Sequence, residues 1–505
     1  MGKETVSFWQ GGRALKSYPS LKENLQVDVC VIGAGIAGLS TAYTLSKSDK
    51  QVVVLDDGPV AGGQTVRTTG HLVDILDARY FTLERYFGIE GAKLAAKSHR
   101  SAIEFIADLV KKHQIPCHFE YLDAYLFVPP GESLDVLKKE LGAVHRVGLK
   151  GVELVERAPI HSFDTGKCLR FSHQAQFFPL PYIDKLCDLI HEQGSQIFTK
   201  THASHIQKKG ELYLVKTEEG YTVQAKHVII ATNSPIASRF LPHLKQAPYR
   251  TYVIGGKIAR GNIARALYYD TSDPYHYIRV IPLDEKYDTL ILGGEDHRTA
   301  EVRDIQAVYD KLEAWTRERF PDFEEITYRW SGQVIEPIDG LAFIGKLKKD
   351  AEIYMITGDA GNGLTHGTIA GILLNDLIHK KKNPWEELYD PHRKTLKAFP
   401  DFAKENGNTV CQYRDWITEG DLESVAELPK NTGAILRKGL SKCAVYRDLK
   451  GDLHRMSPVC PHLGALVRWN GSEHCWECPA HGSRFSAGGQ VIQGPANCDL
   501  RKENH

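Results

Sequence analysis

Two short loops near the end of the chain carry the same pair of metal-binding residue types. The first loop contains Cys460 and His462, and the second contains Cys478 and His481. Thiolates and imidazoles bind iron and zinc, and a 2Fe–2S centre can take a cysteine pair on one iron and a histidine pair on the other. A structural zinc site is the alternative, because Cys475 and Cys478 also form a Cys-x-x-Cys pair. The pattern therefore predicts a metal centre in this part of the chain.

Both loops resemble those of the Rieske iron–sulfur family in spacing and in their flanking Pro, Gly and Ser residues. The resemblance implies one 2Fe–2S cluster bound by the two cysteines and two histidines named above. High-potential members carry a further cysteine in each loop, joined by a disulfide, and a tyrosine near the cluster. Here Ala465, Ala480 and Phe485 stand at those positions, while Ser483 is kept. Since hydrogen bonds to sulfur raise the potential, the resemblance implies a potential in the lower part of the Rieske range.

Length and charge limit the kind of protein that this chain can form. A chain of 505 residues exceeds one ordinary domain, so we expect two or three. Its 63 basic and 63 acidic residues cancel, which indicates neither a nucleic acid nor an anionic membrane as partner. The first residues lack an apolar targeting segment, and no run approaches the length of a membrane span. We therefore expect a cytoplasmic enzyme with no membrane span.

A strand, a glycine turn and a helix follow one another near the start of the chain. A nearly continuous apolar run leads into Gly33, Gly35 and Gly38, and the next apolar run ends at Asp56. This order is that of a dinucleotide-binding βαβ unit, in which the glycines permit a tight turn, close approach to pyrophosphate and close helix packing. The helix N-terminus would face the phosphates, and Asp56 would bind ribose hydroxyls. A tight turn without a ligand is the alternative.

Three separated segments resemble the D-amino-acid-oxidase superfamily of flavoproteins. They are the loop at 57–72, which is rich in glycine and hydroxyl side chains, the strand and turn at 228–235, and the strand and glycine turn at 353–367. The resemblance implies FAD as a cofactor. The residues assigned to FAD by the βαβ unit and by this resemblance are Gly33, Gly35, Gly38, Asp56, Asp57, Gly63, Thr65, Thr69, Gly70, Asp359, Gly361, Gly363 and Leu364.

The flavin loop departs from that of relatives with covalent flavin, which carry a histidine in the motif Thr-Trp-His-Ala-Ala-Gly. Here Arg67 stands at the histidine position, and His71 falls beyond the glycine, so we expect FAD to be bound without a covalent link. Family members place the substrate under a sheet that corresponds to residues 245–300. The candidate pocket residues are Arg67, His71, Arg250 and His276, with Tyr275, Tyr277, Glu295 and His297 also on this sheet. Solvent-facing sheet positions are the alternative for each of them.

The expected fold is α/β plus all-β. An FAD-dependent oxidoreductase part covers residues 1–410, with Rossmann-like nucleotide-binding segments at 26–75, 225–240 and 330–380. An inserted mixed α+β substrate domain, or cap, covers 76–224 and 241–329. A linker at 383–412 then leads to a small antiparallel β domain at 413–505, which holds the cluster.

The predicted function is that of a flavin dehydrogenase with its own one-electron outlet. A small amine or amino acid would reduce FAD, and the cluster would pass the electrons to an external carrier such as a ferredoxin or a quinone. One alternative is a reductase that feeds a partner enzyme, although a second glycine-rich nucleotide fingerprint for a nicotinamide cofactor is missing from the sequence. Another is a redox sensor or electron carrier without a small substrate.

Overall fold

The computed structural model describes residues 6–234, 245–398, 420–422, 424–439 and 441–503. The helices are α1 (Ile36–Lys47), α2 (Tyr80–His113), α3 (Asp135–Val147), α4 (Pro179–Glu192), α5 (Ile305–Arg319), α6 (Gly363–Ile378) and α7 (Glu386–Tyr389). The strands are β1 (Leu25–Ile32), β2 (Val52–Leu55), β3 (His71–Leu72), β4 (Glu120–Phe127), β5 (Val152–Val155), β6 (Cys168–Gln176), β7 (Gln196–Phe198), β8 (Ala203–Lys209), β9 (Leu212–Thr217), β10 (Thr222–Asn233), β11 (Gln246–Ala259), β12 (Leu267–Asp270), β13 (Tyr277–Pro282), β14 (Tyr287–Arg298), β15 (Ile326–Pro337), β16 (Phe343–Lys346), β17 (Ile353–Thr357), β18 (Thr432–Lys438), β19 (Ser441–Arg447), β20 (Leu453–Met456), β21 (Arg468–Asn470), β22 (Cys475–Glu477), β23 (Arg484–Ser486) and β24 (Val491–Gln493). Across these described ranges, no helix is both long and apolar enough to cross a lipid bilayer.

The first sheet has the strand order β16-β17-β10-β1-β2-β7, and β8 and β9 extend it from β10. Strands β17, β10, β1, β2 and β7 are parallel, so their carboxyl ends meet at one edge. Strands β1 and β2 are buried apolar runs, as a parallel sheet covered on both faces requires. The predicted cap segment 76–224 therefore ends too late, since β7, β8 and β9 belong to this nucleotide sheet. The sequences of these three short strands do not indicate which of the two sheets they join.

Helices α1 and α6 pack closely beside the nucleotide sheet because α6 carries small residues at the contact. A Cβ atom on Gly371 would lie 2.8 Å from the carbonyl oxygen of Ser40, and one on Gly367 would lie 3.1 Å from the backbone of Ala37. Side chains at these positions would push the helices apart. The close packing brings the N-terminal ends of both helices to the same edge of the sheet.

The second sheet has the strand order β15-β11-β14-β13-β12-β4-β6-β3, with β5 paired to β6. It contains the strands that the sequence predicts at 245–300. Helix α5 packs on β11 and β14, whereas α2 packs on α3 and α6. The predicted helix at 95–112 lies within α2, which begins much earlier and is interrupted at Gly88, where φ is +71°.

The C-terminal domain is built from two small antiparallel sheets, β18-β19-β20 and β21-β22-β23-β24. Its core includes Trp476 and Phe485, which are fully buried. The first metal loop lies between β20 and β21, and the second joins β22 to β23. The predicted linker at 383–412 is described only up to residue 398. In that part Arg393 pairs with Asp339 at 2.6 Å and is buried, so this part of the predicted linker is packed on the flavoprotein part.

Candidate active site and metal centre

The glycine turn after β1 lies at the carboxyl edge of the nucleotide sheet. A Cβ atom on Gly38 would overlap with the carbonyl oxygen of Gly33, and one on Gly33 would lie 2.5 Å from the carbonyl oxygen of Ala231. Carbon and oxygen atoms in contact lie about 3.5 Å apart, so both positions require glycine. Because these side chains are absent, α1 starts directly above the strand. Gly33, Gly35 and the first residue of α1, Ile36, line a cavity at this edge, whereas Gly38 packs behind it.

Asp56 follows β2 and is hydrogen-bonded to the glycine turn. Its carboxylate accepts the backbone N–H of Ala34 at 2.6 Å and that of Gly58 at 2.8 Å. Burial raises the pKa of Asp56 to about 7, although the two amide hydrogen bonds oppose the shift. Asp56 and Asp57 both line the cavity. The carboxylate therefore holds the turn in shape and also borders the space where a ribose would bind.

The loop after Asp57 forms a second wall of this cavity. Thr65 Oγ1 accepts the backbone N–H of Ile36 at 3.0 Å, which ties a short 3₁₀ turn over Thr65–Arg67 to the start of α1. Gly70 lies outside the cavity, and a Cβ atom at this position, where φ is +77°, would overlap with Arg279 Nη1. The predicted residues of this loop that line the cavity are Asp57, Gly63, Thr65, Arg67, Thr69 and His71.

The loop between β17 and α6 forms a third wall. Asp359 Oδ1 accepts the backbone N–H of Ile335 at 2.8 Å, and burial raises the pKa of Asp359 to about 7. His366 Nδ1 donates to the Asp359 carbonyl at 2.9 Å, while burial lowers the pKa of His366 to about 4 and keeps its ring neutral at pH 7. Gly361, Gly363 and Leu364 line the cavity as the sequence predicts. The three walls enclose about 500 Å³, which is within the usual range for a ligand site.

The end of the cavity under the second sheet is aromatic and acidic. Tyr269, Tyr275, Tyr277, His71 and Asp77 line it. His71 Nδ1 and the Tyr269 hydroxyl are 2.7 Å apart, and the Tyr275 hydroxyl donates to Asp77 Oδ2 at 3.2 Å. Burial, and to a smaller extent Arg279, lowers the pKa of His71 well below its usual value. The histidine is therefore neutral, and Asp77 is an acidic group in the lining of this end, with the buried Asp296 near enough for the two charges to interact.

Two of the four pocket candidates lie outside the cavity. His276 points to the other face of the sheet, where its ring stacks on Trp315 at 4.2 Å and its Nδ1 lies 2.8 Å from Asp270. Arg250 also points away and contacts the C-terminal domain. Successive side chains of a strand face opposite sides of the sheet, so Tyr275 and Tyr277 face the cavity and His276 does not. Glu295 and His297 likewise do not line the cavity.

The two metal loops fold in the same way and meet. Gly464 N–H donates to the Cys460 carbonyl at 3.0 Å, and Gly482 N–H donates to the Cys478 carbonyl at 2.9 Å. The Cys460 and Cys478 thiols are hydrogen-bonded to each other. The rings of His462 and His481 lie 4.9 Å apart at 90°. The structure thus brings the four predicted ligands together as a cysteine pair and a histidine pair.

Cys475, the residue behind the zinc alternative, is occupied by other contacts. Arg484 Nη2 donates to Cys475 Sγ at 3.0 Å. Burial raises the pKa of the Cys475 thiol to about 12, which disfavours the thiolate that a metal needs. Across the residues that the structure describes, no three Cys, His, Asp or Glu side chains converge on a point suited to one metal ion.

Three glutamines join the cavity to the second metal loop. Gln333 Nε2 donates to the carbonyl of Gly482, the residue after His481, at 2.9 Å. Gln493 donates to the Gln333 side chain, and Gln64 Nε2 donates to Gln493 Oε1 at 2.9 Å. Gln64, Gln333 and Gln493, here called the glutamine triad, all line the cavity. A single residue therefore separates the cavity from the loop that carries two of the ligands.

A buried ionic cluster lies beside the glutamine triad. Glu473 of the C-terminal domain accepts hydrogen bonds from Arg250 at 2.8 Å and from Arg484 and Ser331. The side chains of Arg250, Glu473 and Arg484 are 0–3% exposed. Arg250 and Ser331 come from the second sheet, so the cluster joins the two parts of the chain.

Comparison with known protein families explains this combination of sites. Residues 28–377 match the family model for the FAD dependent oxidoreductase (DAO), and residues 418–502 match that for the Rieske 2Fe-2S domain. The first match covers more than half of the chain. The chain belongs to the FAD dependent oxidoreductase family. It carries a C-terminal Rieske domain, and its cofactors are FAD and a 2Fe–2S cluster.

Relatives and solved structures agree with this assignment. YhfW of Bacillus subtilis (strain 168), whose name describes a Rieske 2Fe-2S iron-sulfur protein, is 30% identical over 98% of this chain and 97% of its own. Gamma-glutamylputrescine oxidoreductase of Escherichia coli (strain K12) is 28% identical over 74% of this chain and 89% of its own. The crystal structure of glycine oxidase from Geobacillus kaustophilus superposes with a TM-score of 0.63 at 17% identity, covering 74% of this chain and 100% of that one, and shows a shared fold.

The residues present fit both cofactors. The glycine turn, the start of α1 and Asp56 form the dinucleotide cradle, and a side chain on Gly33 would collide with the carbonyl oxygen of Ala231 and deform the turn. At the cluster site, the Cys460 sulfur receives hydrogen bonds from the backbone amides of His462 and Leu463 and from the Ser483 hydroxyl. Such donors stabilise the negative charge of thiolates bound to iron.

Sequence reasoning did not find Asp77, Tyr269, the glutamine triad or Glu473 as functional residues. Asp77 follows a short strand, and no motif singles it out. Gln333 meets Gly482, and Glu473 meets Arg250, only when the two domains dock. Tyr269 could have been found from the sequence, because the tyrosine pair at 268–269 is typical of a β-strand.

Proposed function

We propose that this protein oxidises an amine or amino acid at its FAD and passes the electrons to its own Rieske cluster, which delivers them to an external one-electron carrier. FAD would be bound without a covalent link. The observation that carries the proposal is the contact between Gln333 in the cavity wall and Gly482 in the second metal loop. An oxidase that handed its electrons directly to oxygen would have no use for a cluster docked at this wall.

The reaction releases two electrons for each substrate molecule. Bound FAD supplies a two-electron acceptor, so that a substrate C–H and N–H are lost and an imine is formed, which water hydrolyses. A cluster held by Cys460, His462, Cys478 and His481 would supply a one-electron outlet. Each substrate molecule would therefore reduce two equivalents of a one-electron carrier. The named substrates of gamma-glutamylputrescine oxidoreductase and glycine oxidase both carry an amino nitrogen, which supports this substrate class.

The orientation of the Rieske domain is consistent with electrons entering the cluster at the second metal loop and leaving it at the first. The second loop, with His481, is buried against the flavoprotein part through Gly482. In the first loop, Leu463 beside His462 is 46% exposed. A carrier that docks at Leu463 would approach the cluster from the side away from the cavity wall.

Anaerobic stopped-flow mixing tests the proposal. We expect a substrate amine to bleach the flavin first and then to reduce the cluster, with the Rieske signal appearing in electron paramagnetic resonance. In His481→Ala, which removes an iron ligand, flavin bleaching should persist and the cluster signal should vanish. Gln333→Leu should slow cluster reduction while flavin bleaching keeps its wild-type rate, because the bridge to Gly482 is lost. Gln207→Leu, on exposed β8, is the matched control.

Two other outcomes would refute the proposal, and a third would refute the role of Gln333 between the cofactors. Rapid flavin bleaching by NADH would favour a reductase that feeds a partner enzyme. A failure of all amines and amino acids to bleach the flavin, combined with reduction by a protein partner, would favour an electron carrier or redox sensor. Simultaneous loss of flavin bleaching and cluster reduction in Gln333→Leu would show that Gln333 acts in the cavity and not between the two cofactors.

A further inference from the structure

The charges at the end of the cavity under the second sheet are unbalanced in favour of a cation. Asp77 faces the loop at Gly361 so closely that a side chain there would overlap with its carboxylate oxygen. The only side-chain hydrogen bond to Asp77 among the described residues comes from the Tyr275 hydroxyl. Burial raises the pKa of Asp77, with Arg79 and Tyr275 acting against the shift. A positively charged ligand would favour the ionised carboxylate and gain a strong interaction from it.

Three tyrosine rings surround the same space. The ring centroids of Tyr275 and Tyr277 are 5.7 Å apart, and His71 lies against both Tyr277 and Tyr269 at 6.1 Å and 5.4 Å. The Tyr277 hydroxyl is held 2.7 Å from Thr251 Oγ1, which turns its ring. Aromatic faces attract alkylammonium groups through their negative charge distribution, and more strongly where water is excluded.

The arginines near this end contact other groups or lie outside the cavity, and Arg79, whose charge acts on Asp77, is one of those that do not line it. Arg67 Nη1 donates to the Ser331 carbonyl at 2.9 Å, and the charge of Glu473 acts on Arg67. Arg279 Nη1 donates to the Thr69 carbonyl at 2.6 Å and lies over the ring of Trp9, and it does not line the cavity. No lysine lines the cavity within the described part of the chain. A substrate carboxylate beside the oxidised carbon would therefore face Asp77 without a dedicated cationic partner.

We propose that the substrate is an amine without a carboxylate next to the carbon that is oxidised, and that Asp77, together with Tyr269, Tyr275 and Tyr277, binds its cationic nitrogen. The oxidation of such an amine rests on the proposed function. The binding of its cationic nitrogen is argued only from the positions of the side chains. The inference predicts that simple amines and polyamines are better substrates than α-amino acids. The family assignment does not distinguish these two classes. Asp77 selects the substrate by charge, and the tyrosines add contact area around the alkyl group.

Binding of inert ligands to the holoenzyme tests the site without turnover. Butyltrimethylammonium and butyrate match in chain length but differ in charge, and each is titrated while the flavin absorption is recorded. We expect the cation to bind more tightly than the carboxylate by at least about tenfold, and Asp77→Asn to weaken cation binding by about tenfold or more. Asp350→Asn, on an exposed turn, is the matched control and should leave both affinities unchanged.

A second variant covers the case in which Asp77→Asn fails to fold. Tyr275→Phe removes one hydrogen bond to Asp77 and keeps the ring, so it should weaken cation binding less than Asp77→Asn does and leave butyrate binding unchanged. FAD content and the Rieske signal report the integrity of each variant. Tighter binding of butyrate than of the cation, or unchanged cation affinity in both variants, would overturn the inference.

Turnover separates this inference from the proposed function. Norvaline is butylamine with a carboxylate on the reacting carbon, so the pair isolates the effect of that group. We expect butylamine to bleach the flavin faster than either enantiomer of norvaline. Faster bleaching by norvaline would overturn the inference and leave the proposed oxidation and electron transfer standing. If neither compound bleaches the flavin, the oxidation of such substrates fails, and the affinities of the inert ligands still decide the site.

Discussion

The buried ionic cluster at the domain interface should make Glu473 a major contributor to the docking of the Rieske domain. Glu473 lies between Arg250 of the flavoprotein part and Arg484 of its own domain, and all three side chains are 0–3% exposed. Glu473→Gln keeps the shape of the side chain and removes its charge. Two buried guanidinium groups then lose one of their two carboxylate partners, and only Glu477, 3.1 Å from Arg484 and 3.9 Å from Arg250, remains.

The magnitude follows from two independent arguments. Breaking a buried ion pair by removing one partner costs about 3–5 kcal/mol. Burial alone would raise the pKa of Glu473, but Arg250, Arg484 and Arg67 outweigh it and lower the pKa from 4.5 to about 2. At 1.36 kcal/mol for each pKa unit, this shift corresponds to about 3 kcal/mol at neutral pH. We therefore expect Glu473→Gln to lower the free energy of unfolding by about 3 kcal/mol.

The sign of the pH dependence follows from the lowered pKa. The carboxylate of folded Glu473 resists protonation more than that of the unfolded chain, so its contribution is complete above pH 4.5 and is lost as the pH falls towards 2. The difference in stability between the wild type and Glu473→Gln should therefore be largest at neutral pH. It should shrink as the pH is lowered below about 4.5.

Urea denaturation followed by the visible circular dichroism of the cluster measures the effect. Glu427→Gln, which changes an exposed glutamate in the same domain, serves as the control and should shift stability by less than about 0.5 kcal/mol. A Glu473→Gln protein that unfolds within the same margin of the wild type would refute the reasoning. So would a destabilisation that does not diminish at acidic pH.

Three further predictions concern the cofactor sites. Gly38→Ala should lower the FAD content and reduce the free energy of unfolding by about 1–3 kcal/mol, because the added Cβ would overlap with the preceding turn. In the control Gly488→Ala, the added Cβ meets only one atom, at 3.8 Å, so FAD should be retained, and equal flavin absorption in the two variants would contradict the prediction. Ser483→Ala removes a hydrogen bond to the Cys460 sulfur and should lower the cluster potential by about 20–60 mV in a redox titration, and an unchanged potential would be inconsistent with that bond. Acid precipitation should release free FAD into the supernatant, and flavin that stays in the pellet would indicate a covalent link.

Local sequence was sufficient for the cofactor sites. The glycine turn at Gly33 and Gly38 and the paired loops around Cys460 and Cys478 are contiguous segments, and their chemistry requires particular residues at short spacing. A backbone that must approach a helix or bind iron leaves little freedom in such segments. The nucleotide fold, the cluster and the order of the two domains were therefore predictable, and the family assignment confirms FAD and the cluster.

The tertiary structure alone decided which side chains face the cavity and which join the domains. On β11, Arg250 and Thr251 are neighbours in sequence, yet Arg250 contacts the Rieske domain and Thr251 lines the cavity. The same alternation turns His276 away from the cavity. Successive residues of a strand point to opposite faces, and which face is inside depends on strand pairing over long distances in the chain. The contact between Gln333 and Gly482 depends on domain docking as well. A single sequence contains the motifs, but it does not show which of their neighbours will meet in space.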